Sequence, residues 1–210
     1  MTATVDHLVY ASTDLGLAVE QIADLIGVRP AYGGQHPGLG THNALLSVGP
    51  RTYLEIIAPD PAQPHPAEPL PFGLGDLPGA ALRGWAAAPD DLAAAVERSL
   101  AAGFDYGPVV ACQRRTADGR DLRWRMTAGA HHAGAAVAPF LISWGGGAHP
   151  ADSAPAGAVL TAFRLSSPDP GRLAAQLAAL GVAVDIEPDE QPRLRAVLSG
   201  PGGKQLVLTS

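Results

Sequence analysis

One cysteine in 210 residues leaves no partner for an internal disulfide and no Cys-x-x-Cys pair for a structural zinc. Cys112 falls in a strand pattern and reads as a small apolar filler. Lys204 is the only lysine among 14 cationic side chains, and the net charge is −6. No basic stripe of the kind a phosphate backbone requires can be drawn, so nucleic acid is not an expected partner. No apolar run reaches the roughly 18 residues of a spanning helix. Met1 leads into an apolar strand pattern without a charged and hydrophobic leader, so a cytoplasmic protein without a membrane partner is expected. There is no Gly-x-Ser-x-Gly elbow and no phosphate loop ending in Lys-Ser/Thr, which removes the serine hydrolase and P-loop classes.

What the chain does have is one supersecondary unit written three times. Amphipathic helices are expected at Asp14 to Gly27, Asp91 to Gly103 and Asp169 to Gly181. Each opens on an Asp N-cap and closes on a glycine followed by Val28, Phe104 or Val182, the signature of a left-handed C-cap. A strand precedes each helix and three follow. In the first unit Val5 to Tyr10 alternates as a half-buried strand, and Leu15, Ala18, Val19, Ile22 and Ile26 form one apolar stripe. Strands at Thr41 to Val48 and Thr52 to Ala58 pair across a tight turn at Gly49-Pro50. The second unit begins with Leu82 to Ala88, has a hairpin about Asp118-Gly119, and ends with Ala138 to Trp144. The third has strands near Val159 to Leu165, Val182 to Ile186, Leu194 to Ser199 and Gln205 to Thr209. The expected class is α+β, with repeated βαβββ units forming curled, half-open barrel sheets and helices outside. At 47% hydrophobic the chain can bury such a core.

The units divide as residues 1–58, 80–146 and 158–210. Prolines at 59, 61, 64, 66, 69, 71 and 78 exclude helix or central strand from residues 59–79, a connector; residues 147–157 form a second linker, and Gly33 to Gly40 reads as a flexible turn over the cup.

Particular residues then carry a resemblance. Asp6-His7-Leu8-Val9, the stretch His36-Pro37-Gly38-Leu39-Gly40-Thr41-His42-Asn43-Ala44, Tyr53 to Ala58, Leu82-Arg83-Gly84-Trp85, Leu122-Arg123-Trp124-Arg125, Pro139 to Ile142 with Trp144-Gly145, and His149-Pro150 resemble the glyoxalase-like domain family. That family belongs to the vicinal-oxygen-chelate superfamily of glyoxalases, extradiol dioxygenases and bleomycin-resistance proteins. The resemblance covers about residues 4–150. It implies paired βαβββ units curled around a divalent metal held by first and last strands. It also exposes departures. At the ligand positions the second unit offers Gly84 and Ile142 or Ser143, and the third offers Ala162 and Gln205 or Leu206.

The residues themselves allow a metal site in the first unit. If Leu8 and Tyr10 face the helix, His7 faces the concave side. Pairing across Gly49-Pro50 sets Ala44 opposite Glu55 and His42 opposite Ile57, which puts His42 and Glu55 on one face. His7, His42 and Glu55 would form a 2-His-1-carboxylate set for Fe(II), Mn(II), Zn(II) or Ni(II), with positions open to a substrate. The alternative is hydrogen-bonded histidines and a Glu55 paired with an arginine. On the second-unit hairpin, Leu122, Trp124 and Met126 alternate with Arg123 and Arg125, and Arg114 or Arg115 lies on the partner strand. If the cationic face lines the cup, Arg123 and Arg125 recognise a ligand anion; otherwise it is a solvated outer face. Trp144 can reach the pocket rim, and Asn43 is counted with it as a substrate contact. His65, His131 and His132 receive no role.

Two function classes follow. One is a divalent-metal-dependent isomerase, lyase or dioxygenase acting on a small oxygenated anionic compound. The other is a metal-free sequestration protein. An odd number of units suggests a homodimer formed through the third.

Overall fold

The computed structural model describes residues 2–64, 69–116, 119, 121–128 and 137–210. Asp118, His65, His131 and His132 lie outside the described residues. No described helix is long and apolar enough to cross a membrane.

The first unit comprises β1 (Ala3–Ala11), α1 (Leu15–Ile26), β2 (Ala31–His36), β3 (Thr41–Gly49) and β4 (Thr52–Pro59). The second comprises β5 (Ala81–Pro89), α2 (Leu92–Ala101), β6 (Val109–Thr116), β7 (Asp121–Thr127) and β8 (Phe140–Ser143). All three helices open as their sequences dictate, with the carboxylates of Asp14, Asp91 and Asp169 accepting from the backbone N–H three residues on. Gly27 and Gly181 close α1 and α3 in the left-handed region at φ 78 and 72, which glycine adopts without a Cβ penalty.

The eight strands of the first two units close into one barrel, in the order β1-β4-β3-β2-β6-β7-β8-β5. Within each unit the first strand lies beside the last, parallel to it. Two seams join the units. One is the long antiparallel β1–β5 pairing. The other is the short β2–β6 pairing, where Gly34 lies opposite Thr116 and Gln35 opposite Arg115. At this seam a Cβ on Gly34, which has φ 142, would come within 1.9 Å of the Arg115 carbonyl oxygen. Only glycine permits that approach. The stretch from Gly33 is therefore partly strand, and only residues 37–40 form the turn.

The third unit keeps the element order, with β9 (Val159–Ser167), α3 (Pro170–Leu180), β10 (Asp185–Pro188), β11 (Arg193–Ser199) and β12 (Gln205–Thr209). Its strand order differs: β10-β9-β11-β12. The first strand here neighbours the second, not the last. One face of this sheet packs on the barrel wall. Leu165, Leu194, Leu198 and Leu208 share a continuous core with Leu8, Leu54 and Trp85, and Trp85 meets Phe163 edge-on at 5.3 Å. This chain covers that face of the third sheet itself, while the other face carries the exposed Val159 and Val207.

A second apolar cluster fills the barrel interior: Val9, Leu45, Ile57, Phe140, Ile142 and Trp144, joined by Phe72, Leu74 and Leu77 of the proline-rich connector. The connector is thus packed into the barrel, with a 3₁₀ segment at Pro71–Asp76.

Candidate functional site

The barrel interior encloses a cavity of about 270 Å³. Its walls are mostly apolar, and its polar side chains are His7, His36, Asn43, Tyr53, Glu55, Cys112 and Arg114. Strand alternation puts His7 of β1 and Tyr53 and Glu55 of β4 inside, as expected from Leu8 and Leu54 facing the core outside the barrel. The two rings of His7 and Tyr53 stack at 4.6 Å, and Val9 is the register partner of Glu55.

His42 is not with them. Leu45, not Ala44, lies opposite Glu55, and Asn43 lies opposite Ile57. The turn centres on Pro50-Arg51, with Gly49 opposite Thr52, one residue later than the sequence reading placed it, and an irregularity between Ser47 and Gly49 takes back half of that shift. Arg51 sits at φ 54 after a proline, the combination found in type II turns. The net slip is one residue, and a one-residue slip exchanges the two faces of a strand. Asn43 therefore enters the cup, while His42 lies 3.9 Å from Asp60 and edge-on to Tyr32.

Asn43 Nδ2 donates to Glu55 Oε1 at 2.6 Å, and its Oδ1 is buried without a partner among the described residues. Glu55 Oε2 lies 3.7 Å from His7 Nε2, and Oε1 lies 3.7 Å from His36 Nε2. His36, on β2, is held through Nδ1 by Thr41 Oγ1 at 2.9 Å. Burial outweighs the pull of Glu55 and brings His36 down to about 4, so its imidazole is neutral near pH 7. Burial, then the Asp6 and Glu55 charges, push the Tyr53 phenol well above its usual range.

His7 is oriented by Asp6, whose Oδ1 lies 2.7 Å from His7 Nδ1. The other carboxylate oxygen accepts from Trp144 Nε1 at 3.0 Å and faces His149 Nε2 at 3.1 Å. Burial acts to raise the Asp6 carboxyl, but the hydrogen bonds of His149 and His7 and their charges bring it down to about 2. Asp6 can serve His7, its own neighbour, because β1 is irregular there. Val5 pairs with Ala87 and His7 with Ala86, leaving Asp6 as the extra residue of a bulge, a device that re-aims a side chain. With Nδ1 facing a carboxylate, the neutral imidazole keeps its proton on Nδ1 and presents a lone pair at Nε2 to the cup.

The hairpin of the second unit turns the other way from the cationic-cup expectation. Leu122 is half-buried, Trp124 and Met126 line the cavity, and Arg123 and Arg125 are exposed on the outer face. The reason is the apolar interior, which takes the apolar parity of β7. Arg114, opposite Leu122 across the hairpin, shares the inner parity and lines the cup instead. Trp144 lines the cup with its ring and is fixed through Asp6.

The divalent metal implied by the resemblance has two of its expected donors here, His7 and Glu55. On the second unit, the Gly84 position is filled from the connector: a Cβ there would lie 3.3 Å from Phe72 Cε1. Ile142 contributes only hydrocarbon. His36 approaches the other oxygen of Glu55, and among the described residues no group of three or more His, Cys, Asp and Glu side chains is arranged to hold a metal ion. The donor set is incomplete for a metal centre.

His36, Asp6 and His149 have no site role in the sequence pattern, and Arg114 enters it only as an alternative to Arg115 on the cationic hairpin. His36 stood in the quoted motif but was hidden by the glycines around it. Arg114 could have been found from its parity with Leu122. Asp6 and His149 depend on the bulge, for which the sequence has no signal.

A family model described as a glyoxalase-like domain matches residues 5–181. Among solved structures, a hypothetical protein from Staphylococcus aureus is 13% identical, with 98% of this chain and 85% of that chain covered and a TM-score of 0.62. Methylmalonyl-CoA epimerase from Mycobacterium tuberculosis is 22% identical over 66% of this chain and 84% of its own, at a TM-score of 0.41. A mutant 4-hydroxymandelate synthase from Streptomyces coelicolor is 16% identical over 99% and 62%, at 0.48. No curated protein sequence matches the chain.

Proposed function

The chain belongs to the glyoxalase-like domain family, and from that premise we propose that it is an enzyme that moves a proton on a small oxygenated, anionic molecule bound in the barrel. The observation that carries this reading is the pairing of His7 Nε2 with Glu55 Oε2 across 3.7 Å inside an apolar cavity. Glu55 Oε2 is the oxygen not engaged by Asn43, and it is the base that takes a proton from a substrate carbon next to a carbonyl. His7 Nε2, beside it, accepts that proton in turn and returns it. The ionised Asp6 stabilises the imidazolium formed. Hydrocarbon walls keep water from the developing charge and strengthen every polar contact within. This is isomerase or lyase chemistry.

A second reading lets substrate oxygens complete the donor set that the chain itself leaves incomplete. In it a divalent metal on His7 and Glu55, with a contribution from His36, would polarise a substrate oxygen. A metal-free binding protein is the third outcome.

The test is deuterium incorporation from D2O into a panel of small 2-oxo and 2-substituted carboxylic acids and thioesters, followed by mass spectrometry. Exchange by protein stripped with a chelator, lost in Glu55→Gln, supports the first reading. Exchange only after Fe(II), Mn(II), Ni(II) or Zn(II) is added supports the second. Binding of panel members without exchange under either condition leaves the sequestration role.

A further inference from the structure

We propose that Arg114 is the anion anchor of the cup and that its ligand is a monocarboxylic acid with a compact apolar body. This rests on the proposed function only in placing the ligand in the same cavity.

Arg114 is 5% exposed, yet no carboxylate among the described residues stands within ion-pair distance of it. Its one hydrogen bond among those residues runs from Nη1 to the carbonyl oxygen of Gly33. A guanidinium carries five N–H donors, and a buried charge left unpaired is costly. Glu55 acts on Arg114 through its charge but makes no ion pair with it, its oxygens being directed to Asn43, His7 and His36. A ligand carboxylate would supply a contacting charge with a matching pair of acceptors.

Glycine at position 33 lets Arg114 and Asn43 pack side by side against the β2 backbone. A Cβ on Gly33 would lie 2.7 Å from Arg114 Nη1 and 2.4 Å from Asn43 Oδ1, so any larger residue would displace both. That same Asn43 oxygen is buried without a partner among the described residues. It stands ready for a hydroxyl or N–H carried near the carboxylate.

The remainder of the cavity sets the rest of the ligand. Trp124, Met126, Phe140 and Ile142 offer hydrocarbon and aromatic faces. Leu39 and Val110 line the cavity while being 49% and 37% exposed, which marks an apolar mouth. Among the described residues no second arginine or lysine lines the cup, and Glu55 would repel the extra charge of a dianion. A phosphate ester is therefore disfavoured against a carboxylate.

The experiment is titration calorimetry of the full chain with phenylacetate against phenylacetamide and octanoate against octanamide. The acids should bind roughly tenfold or more tightly than their amides, as a hydrogen-bonded charge contact implies. Arg114→Met should abolish the difference, and Arg114→Lys should retain only part of it. Equal affinity for acid and amide, no binding of either acid, or a full preference in Arg114→Met would overturn the inference. Should Arg114→Met fail to fold, Arg114→Gln is read in the same way. Glu55→Gln should keep the preference while losing proton exchange. A wild-type chain that prefers acids but exchanges no proton would refute the proposed activity and leave the anchor standing.

Discussion

The ring of Phe72 packs tightly against Gly84, with Cε1 3.3 Å from the place of a Cβ there. Phe72 reaches that place from the connector at φ 57, unusual for a bulky residue. The second half of the barrel has exchanged a possible ligand position for an aromatic plug.

Reversing that exchange should create a metal site. The double substitution Phe72→Ala, Gly84→His would set a third imidazole toward His7 and Glu55, and Zn(II) affinity measured by competition dialysis should rise at least tenfold, roughly the 1.4 kcal/mol that one added ligand readily exceeds. An unchanged affinity would mean that His7 and Glu55 cannot converge on an ion. Phe72→Ala alone should lower unfolding free energy by about 3 kcal/mol through the cavity it leaves.

Stability should depend on pH through His36. Its pKa falls from 6.5 to about 4 on folding, so between those values the unfolded chain binds the extra proton. Stability is then full above about 6.5 and declines as pH drops to about 4, by on the order of 3 kcal/mol. Urea unfolding from pH 7 to 4 should show this slope, and His36→Gln should flatten it. The Asp6 contribution has a separate window. With its pKa lowered from 3.8 to about 2, it is fully present above about 3.8 and is lost only as pH falls through 2.

Asp6→Asn should impair activity more than binding. An amide cannot accept from His7 on one side and from Trp144 and His149 on the other with both of its atoms, so His7 loses its fixed tautomer. Proton exchange should fall by roughly 10²-fold, while carboxylate affinity changes little. Nitrogen chemical shifts of the His7 ring would report the tautomer directly. An unaltered ring spectrum with unaltered exchange would remove Asp6 from the mechanism.

Arg123→Ala with Arg125→Ala, and separately His42→Ala, should leave calorimetric affinity for phenylacetate within about 0.5 kcal/mol of wild type, the range of surface substitutions away from structural features. A larger loss from either would mean that the cup extends to the outer face of its wall.

The helices were legible because their caps are local: Asp14, Asp91 and Asp169 need only the next turn of chain to act. So was the inward face of β1 and β4, where Leu8 and Leu54 bracket the alternation. Asn43 and His42 exchanged roles because face depends on register, and register depended on a turn one residue later and an irregularity between Ser47 and Gly49. Arg123 and Arg125 have the parity that a strongly apolar interior rejects, a property of the assembled barrel rather than of the hairpin. The strand order of the third sheet was beyond reach for the same reason. Periodicity assigns a strand its face and not its neighbour.

That third sheet has a consequence for how the chain can be divided. Its inner face covers Trp85, which is 0% exposed and meets Phe163 of β9 edge-on. Cutting the chain in the linker before Ala158 would leave a barrel coated with bare aliphatic and aromatic groups, prone to self-association. The smallest soluble fragment that keeps the cup is therefore expected to retain β9 to β12, although none of those strands contributes a residue to the cavity.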